Sequence, residues 1–112
     1  MIIRNVKIGD IEVKMGASAA LPYEYMEKFN SDLFKDIQNV TSNNITGLSR
    51  IAWAMAKHAY LHDGENHTEP FPELVAWLVN FNVMDIYDSI DAIIELWGLN
   101  NRTGSTAKKK TT

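Results

Sequence analysis

The apolar residues of this chain change their spacing once, near residue 16, from every second position to every third or fourth. That switch limits the fold more than any other feature, because the first period belongs to a strand and the second to a helix. Before it, Ile2, Val6 and Ile8 share one face with Arg4 breaking the pattern, and Ile11, Val13 and Met15 alternate with Glu12 and Lys14. Gly9-Asp10 between the two runs suits a two-residue type II′ turn, since glycine takes positive φ without a steric penalty. Residues 2–15 therefore read as a β-hairpin. A lone hairpin is marginal in water, so its apolar face must pack on the rest of the chain or pair with another chain.

Beyond the switch the pattern is helical. Pro22 suits a first helical position, with Tyr23, Met26 and Phe29 following at helical spacing. Asn30-Ser31-Asp32 interrupts that segment and offers a cap for a second helix carrying Leu33, Phe34, Ile37 and Val40. After a Thr41-Ser42-Asn43-Asn44 loop, a third helix over about 45–62 places Leu48, Ile51, Ala52, Met55 and Ala59 on one stripe. Its alanines at 52, 54, 56 and 59 favour helix and allow close helix approach. A polar loop at 63–68 and the prolines at 70 and 72 lead into a fourth helix with Leu74, Trp77, Leu78 and Phe81 inward. Asp85 is the expected cap of a fifth, with Ile86, Ile90, Ile93, Ile94 and Trp97 buried and Gly98 ending it. The expected fold is mainly α with a small N-terminal β-hairpin, a compact bundle of about five helices in a single domain over 1–98. Residues 99–112 are expected to be a flexible basic tail.

Composition excludes several kinds of function. The 112 residues make room for one core, and the absence of cysteine removes disulfides, thiolate metal sites and thiol nucleophiles. The net charge of −3 hides an asymmetry: fourteen acidic residues stand against seven Lys and Arg up to Gly98, and Arg102, Lys108, Lys109 and Lys110 are the only charges after it. An acidic body repels nucleic acid, so no nucleic-acid partner is expected. No run approaches the ~18 apolar residues of a membrane span, and no apolar run follows Arg4 as in a signal peptide. A cytoplasmic protein without a membrane partner is expected.

The candidates for chemistry are few. His58 and His62 stand four apart on the third helix, a spacing that can chelate zinc from one face, and His67 follows among Asp63, Glu65 and Glu69. The metalloprotease pattern needs Glu directly after the first histidine, and Ala59 stands there instead. The plain reading is a solvated helix end beside a polar loop. Asp85, Asp88, Asp91 and Glu95 line one side of the last helix and read as its wet face, not as an acid–base pair. There is no nucleophile elbow and no glycine-rich phosphate loop. No catalytic, cofactor-binding or metal-ligating residue is expected, and the chain reads as a binding protein and not an enzyme. Three Trp and four Tyr are many amphipathic rings for a small domain, and such rings are enriched at interfaces. Trp53, which flanks the third helix's inward stripe, and Tyr60 are the aromatic candidates for protein binding. The acidic face of Asp88, Asp91 and Glu95 accompanies them.

Three stretches in sequence carry a resemblance. Val13-Lys14-Met15-Gly16-Ala17-Ser18-Ala19-Ala20 runs into Pro22-Tyr23-Glu24-Tyr25; then come Lys28-Phe29-Asn30-Ser31-Asp32-Leu33-Phe34-Lys35-Asp36-Ile37 and Ile93-Ile94-Glu95-Leu96-Trp97-Gly98-Leu99-Asn100. In their order and spacing, together with the alanine-rich third helix and the Pro-Glu-Leu-Val-Ala-Trp-Leu segment, they resemble the tail assembly chaperones of long-tailed, siphovirus-type bacteriophages of Gram-positive hosts. The histidines between 58 and 67 have no counterpart in that likeness.

The resemblance implies a protein that binds the tape measure protein and keeps it soluble in the host cytoplasm while tail tube protein assembles around it. Such a chaperone is absent from the mature virion, works as a homo-oligomer and needs no cofactor. It also implies a longer, frameshifted form of the chain. The run Lys108-Lys109-Lys110 is where adenine-rich codons would let a ribosome slip. The competing expectations are a small virion structural protein, a tail-completion or connector subunit, and a metal-dependent enzyme that uses the histidines between 58 and 67.

Overall fold

A computed structural model describes residues 1–40 and 44–101 of the chain. The order of elements is β1 (Ile3–Ile8), β2 (Ile11–Gly16), α1 (Leu21–Phe29), α2 (Leu33–Asn39), α3 (Ile45–His62), α4 (Leu74–Leu78), α5 (Val83–Asp88) and α6 (Ile90–Asn101). Thr41-Ser42-Asn43, Arg102 and the lysine run lie outside the described residues, so the basic tail has a described part only at Leu99 to Asn101.

The hairpin forms where alternation and turn chemistry place it. β1 and β2 pair antiparallel with Val6 opposite Val13 and Ile8 opposite Ile11. Gly9 adopts φ +65° while Asp10 keeps a negative φ, as a type II′ turn requires. Val6, Ile8 and Met15 are buried, whereas Ile2 and Ile11 at the margins are exposed, so the apolar face is shorter than its alternation implied. The opposite face is polar: the Asn5 amide donates to Glu12 at 3.3 Å, and Lys14 pairs with Asp63 at 3.3 Å. The apolar face lies on α3, which settles how a lone hairpin is stabilised here.

α3 is the centre of the molecule. Leu48, Ile51, Ala52, Met55 and Ala59 form its expected inward stripe, but Trp53, Ala54, Ala56 and His58 are buried as well, so the helix is enclosed on nearly every side. The hairpin, α1, α2, α4 and α5 all pack on it, and its alanines are what let them approach. The Asn44 side chain caps it by accepting from the Gly47 N–H at 3.0 Å.

Several boundaries differ from the sequence reading. In α1 the buried residues are Leu21 and Tyr25, while Tyr23 and Met26 face water; the helix has turned by about one position from the expected stripe. The expected fourth helix stops at Leu78 instead of reaching Phe81, because the Asn80 amide donates to the Trp77 carbonyl at 3.1 Å and takes over a helical acceptor.

The expected fifth helix is two helices. It begins earlier, at Val83, with Asn82 and not Asp85 at the cap, and the Asn82 carbonyl accepts from the Asp85 and Ile86 N–H groups. It then breaks at Ser89, whose buried hydroxyl donates to the Ile86 carbonyl at 2.6 Å. Gly98 does not end α6, which continues to Asn101. The Asn100 side chain holds that last turn against the N-terminal strand, a partner that local sequence cannot reveal. In α6 the buried residues are Ile93 and Leu96, and Trp97 is only half-buried, edge-on to Phe34 with ring centroids 5.4 Å apart.

Candidate functional site

Of the residues singled out from sequence, Asp88, Asp91 and Glu95 are exposed on α5 and α6, as a wet face should be. Trp53 is only 2% exposed. Its indole N–H donates to the Pro72 carbonyl at 2.9 Å, Phe29 meets it edge-on, and Lys28 and Lys57 place their ammonium groups 5.5 and 5.0 Å from the ring. It serves as a core pillar and the floor of a groove, not as a protruding anchor. Tyr60 is half-buried, donates its hydroxyl to the Glu69 carbonyl and stacks on His67 with centroids 3.7 Å apart.

Trp53 and Tyr60 line different hollows. The first, about 390 Å³, lies between α1 and α3 with Leu21, Glu24, Lys28 and Lys57 in its walls. The second, about 480 Å³, lies between β2, α3 and the chain from 63 to 81, with Val13, Tyr60, Phe71, Trp77 and Phe81 around it. None of the three acidic residues lines either hollow, so the five predicted positions are not brought together in one cavity.

Sequence reading missed a different surface. Val75 and Val79 stand four apart on α4 and its cap, and Val83 and Met84 open α5; these four are between 61% and 76% exposed. Tyr87, one turn after Val83, is exposed at 37%. The signal was present: from Leu74 to Tyr87 large apolar residues occupy both faces, whereas an ordinary surface helix reserves one for polar groups. Scattered single apolar side chains on a surface need no explanation, but consecutive ones on successive short helices do.

The histidines form a cluster of another kind. His58 is fully buried, which corrects its reading as part of a solvated helix end. Its Nδ1 lies 2.7 Å from Glu24 Oε1 and its Nε2 lies 2.8 Å from Ser18 Oγ. His62, one turn on and 45% exposed at its side chain, places Nε2 3.0 Å from the other Glu24 oxygen. The two imidazole centroids are 4.5 Å apart. Partial burial opposes ionisation of Glu24, yet hydrogen bonds from His58 and His62, and then their charges, outweigh it and lower the carboxyl pKa.

Ser18, His58 and Glu24 stand in the hydroxyl–imidazole–carboxylate order of a nucleophilic triad. The Ser18 hydroxyl, however, also accepts from the Ala20 N–H at 3.2 Å and so organises the turn into α1, while the imidazole it meets has no exposed surface.

His67 belongs to a separate arrangement. It lies 3.0 Å from Asp63 Oδ2, and Asp63 also accepts from the Glu65 N–H at 2.9 Å and from Lys14 at 3.3 Å. The backbone hydrogen bond from Glu65, followed by those from His67 and Lys14, holds the Asp63 carboxyl down to about 2. The polar loop is thereby fastened to the hairpin. Among the described residues no helix is long and apolar enough to cross a membrane.

Comparison with protein-family models, with curated proteins and with solved structures finds no match to this chain.

Proposed function

We propose that this protein is a tail assembly chaperone of a long-tailed bacteriophage, holding the tape measure protein soluble by covering its apolar stripe. The observation that carries the reading is the exposure of four apolar side chains within ten residues of α4, its cap and α5, where Val75, Val79, Val83 and Met84 lie outside the core. An apolar, valine- and methionine-rich surface on short helices suits an amphipathic helical client, which docks through residues one turn apart. Methionine adapts to varied apolar partners, which fits a client that presents many similar segments. The acidic residues of α5 and α6 keep loaded complexes apart by like-charge repulsion. Many weak contacts along one long client also allow displacement when tube subunits arrive.

The test is co-expression with the tape measure protein of the same phage. The client is expected in the soluble fraction with the parent chain and in the pellet with the V75E/V79E double variant. Both positions are exposed, so the variant should keep its melting temperature. An insoluble client beside abundant soluble parent chain overturns the reading. Recovery of the chain in purified virions would instead identify a structural subunit.

A further inference from the structure

We propose that Glu24, His58 and His62 form a binding site for one borderline divalent cation of the zinc class, joining α1 to α3. The three residues bring one ligand atom each to within 4.8 Å of one another. Two histidines four apart on a helix present their rings on one face, and a carboxylate from a second helix completes a His₂Glu set, the donor combination that zinc accepts with one position left open. Imidazole with carboxylate favours zinc and its neighbours over calcium or magnesium, which take oxygen alone.

The surroundings fit an ion as well as the ligands do. Around a tetrahedral zinc the ligand atoms are about 3.3 Å apart. The present separations of 2.7 and 3.0 Å, each to a different oxygen of Glu24, are those of hydrogen bonds, so an ion enters by replacing them while the ligand atoms, now within 4.8 Å of one another, draw in around it. Glu24 and His62 keep 34% and 45% of their side chains exposed, so an ion has an entry path and a water can fill the remaining position. His58 is buried and its far nitrogen meets Ser18, the outer-shell partner that a metal-bound histidine needs to fix its ring.

The Ser18 hydroxyl can serve both states, because it either donates or accepts. With Nδ1–H donating to Glu24, Nε2 accepts from Ser18. With Nδ1 on the metal, Nε2 carries the proton and donates to Ser18. With the metal bound, the ring carries one proton, on the nitrogen that faces Ser18. The charge of Glu24, now shared by two histidines, would then balance half of the cation's charge.

The test uses the full chain, stripped with a chelator and titrated with Zn²⁺ alone by calorimetry, with thermal melting alongside. One Zn²⁺ per chain and a raised melting temperature are expected. H62A and E24Q are each expected to weaken binding by more than about tenfold, whereas H67A, outside the cluster, should bind as the parent does. His62 is half exposed, so metal-free H62A should still melt near the metal-free parent, which separates loss of a ligand from loss of the fold. No stoichiometric binding in the parent, or binding that survives both H62A and E24Q, or binding abolished by H67A, overturns the assignment.

Discussion

The side-chain amide of Asn100 closes on the main chain of Ile2, accepting from its N–H at 2.5 Å and donating to its carbonyl at 2.8 Å. In the register of the hairpin, with Ile3 opposite Gly16, the residue facing Ile2 would be Ala17, where β2 has already ended. Asn100 supplies the donor and acceptor that a further strand residue would have offered. Its amide also donates to the Leu96 carbonyl at 3.3 Å, so one side chain ties strand and helix together.

N100A should therefore loosen both ends of the described fold together. Three hydrogen bonds from the side chain to the main chain are lost, and the expected cost is about 1–2 kcal/mol in chemical denaturation. Hydrogen exchange should rise at Ile2 and in the last turn of α6 and remain unchanged in α3. Unchanged protection at both ends would show that the pairing does not persist in solution.

The tryptophans should rank by burial. W53A removes a core pillar and should cost about 3–5 kcal/mol, whereas W97A removes a half-buried ring and should cost less than about 2 kcal/mol. Urea denaturation of the two variants beside the parent checks the order, and equal losses would place Trp97 in the core after all.

Tyr25 should make the fold sensitive to alkali. Burial above all, then the hydrogen bond and charge of Asp36 at 2.6 Å, push its hydroxyl well above the ordinary phenol range. The folded chain keeps this proton where the unfolded chain has lost it. The contribution is thus complete below the unfolded value of about 10 and declines as pH rises past it. Stability measured between about pH 8 and 11 should fall for the parent and fall less steeply for Y25F. Parallel curves would mean that the tyrosine is not responsible.

Reversing Asp88, Asp91 and Glu95 to lysine tests the acidic face without touching the core. Each is exposed, and surface changes of this kind usually move stability by no more than about 0.5 kcal/mol; Asp91, in the first turn of α6, should contribute most of any loss. Light scattering over a range of concentrations should show more association than in the parent. If the mass distribution is unchanged, the acidic face does not keep copies apart.

What the sequence disclosed depended on how local the cause was. The hairpin was legible because alternation and a Gly-Asp turn act within a few residues, and α3 because its apolar and alanine spacing spans several turns. The break at Ser89 was not, since it rests on one hydroxyl turned back on its own helix, and the continuation past Gly98 rests on a residue 98 positions away. The burial of Trp53 was not legible because the middle of α3 is enclosed on both flanks of its stripe, whatever the stripe indicates. The histidine pair was visible as a spacing. Its carboxylate partner, 34 and 38 positions back on α1, was not.

The enclosure of α3 has a consequence for how the molecule opens. Nothing can expose the amides of its middle turns, Ile51 to Ala56, without first displacing the hairpin and several helices at once, so their exchange should report the free energy of complete unfolding. α4 and α5, short helices with much of their apolar surface already in water, have less to lose by detaching and should exchange through smaller openings. The surface offered to a client would then be the part of the chain freest to reshape around it, while the helix beneath stays rigid.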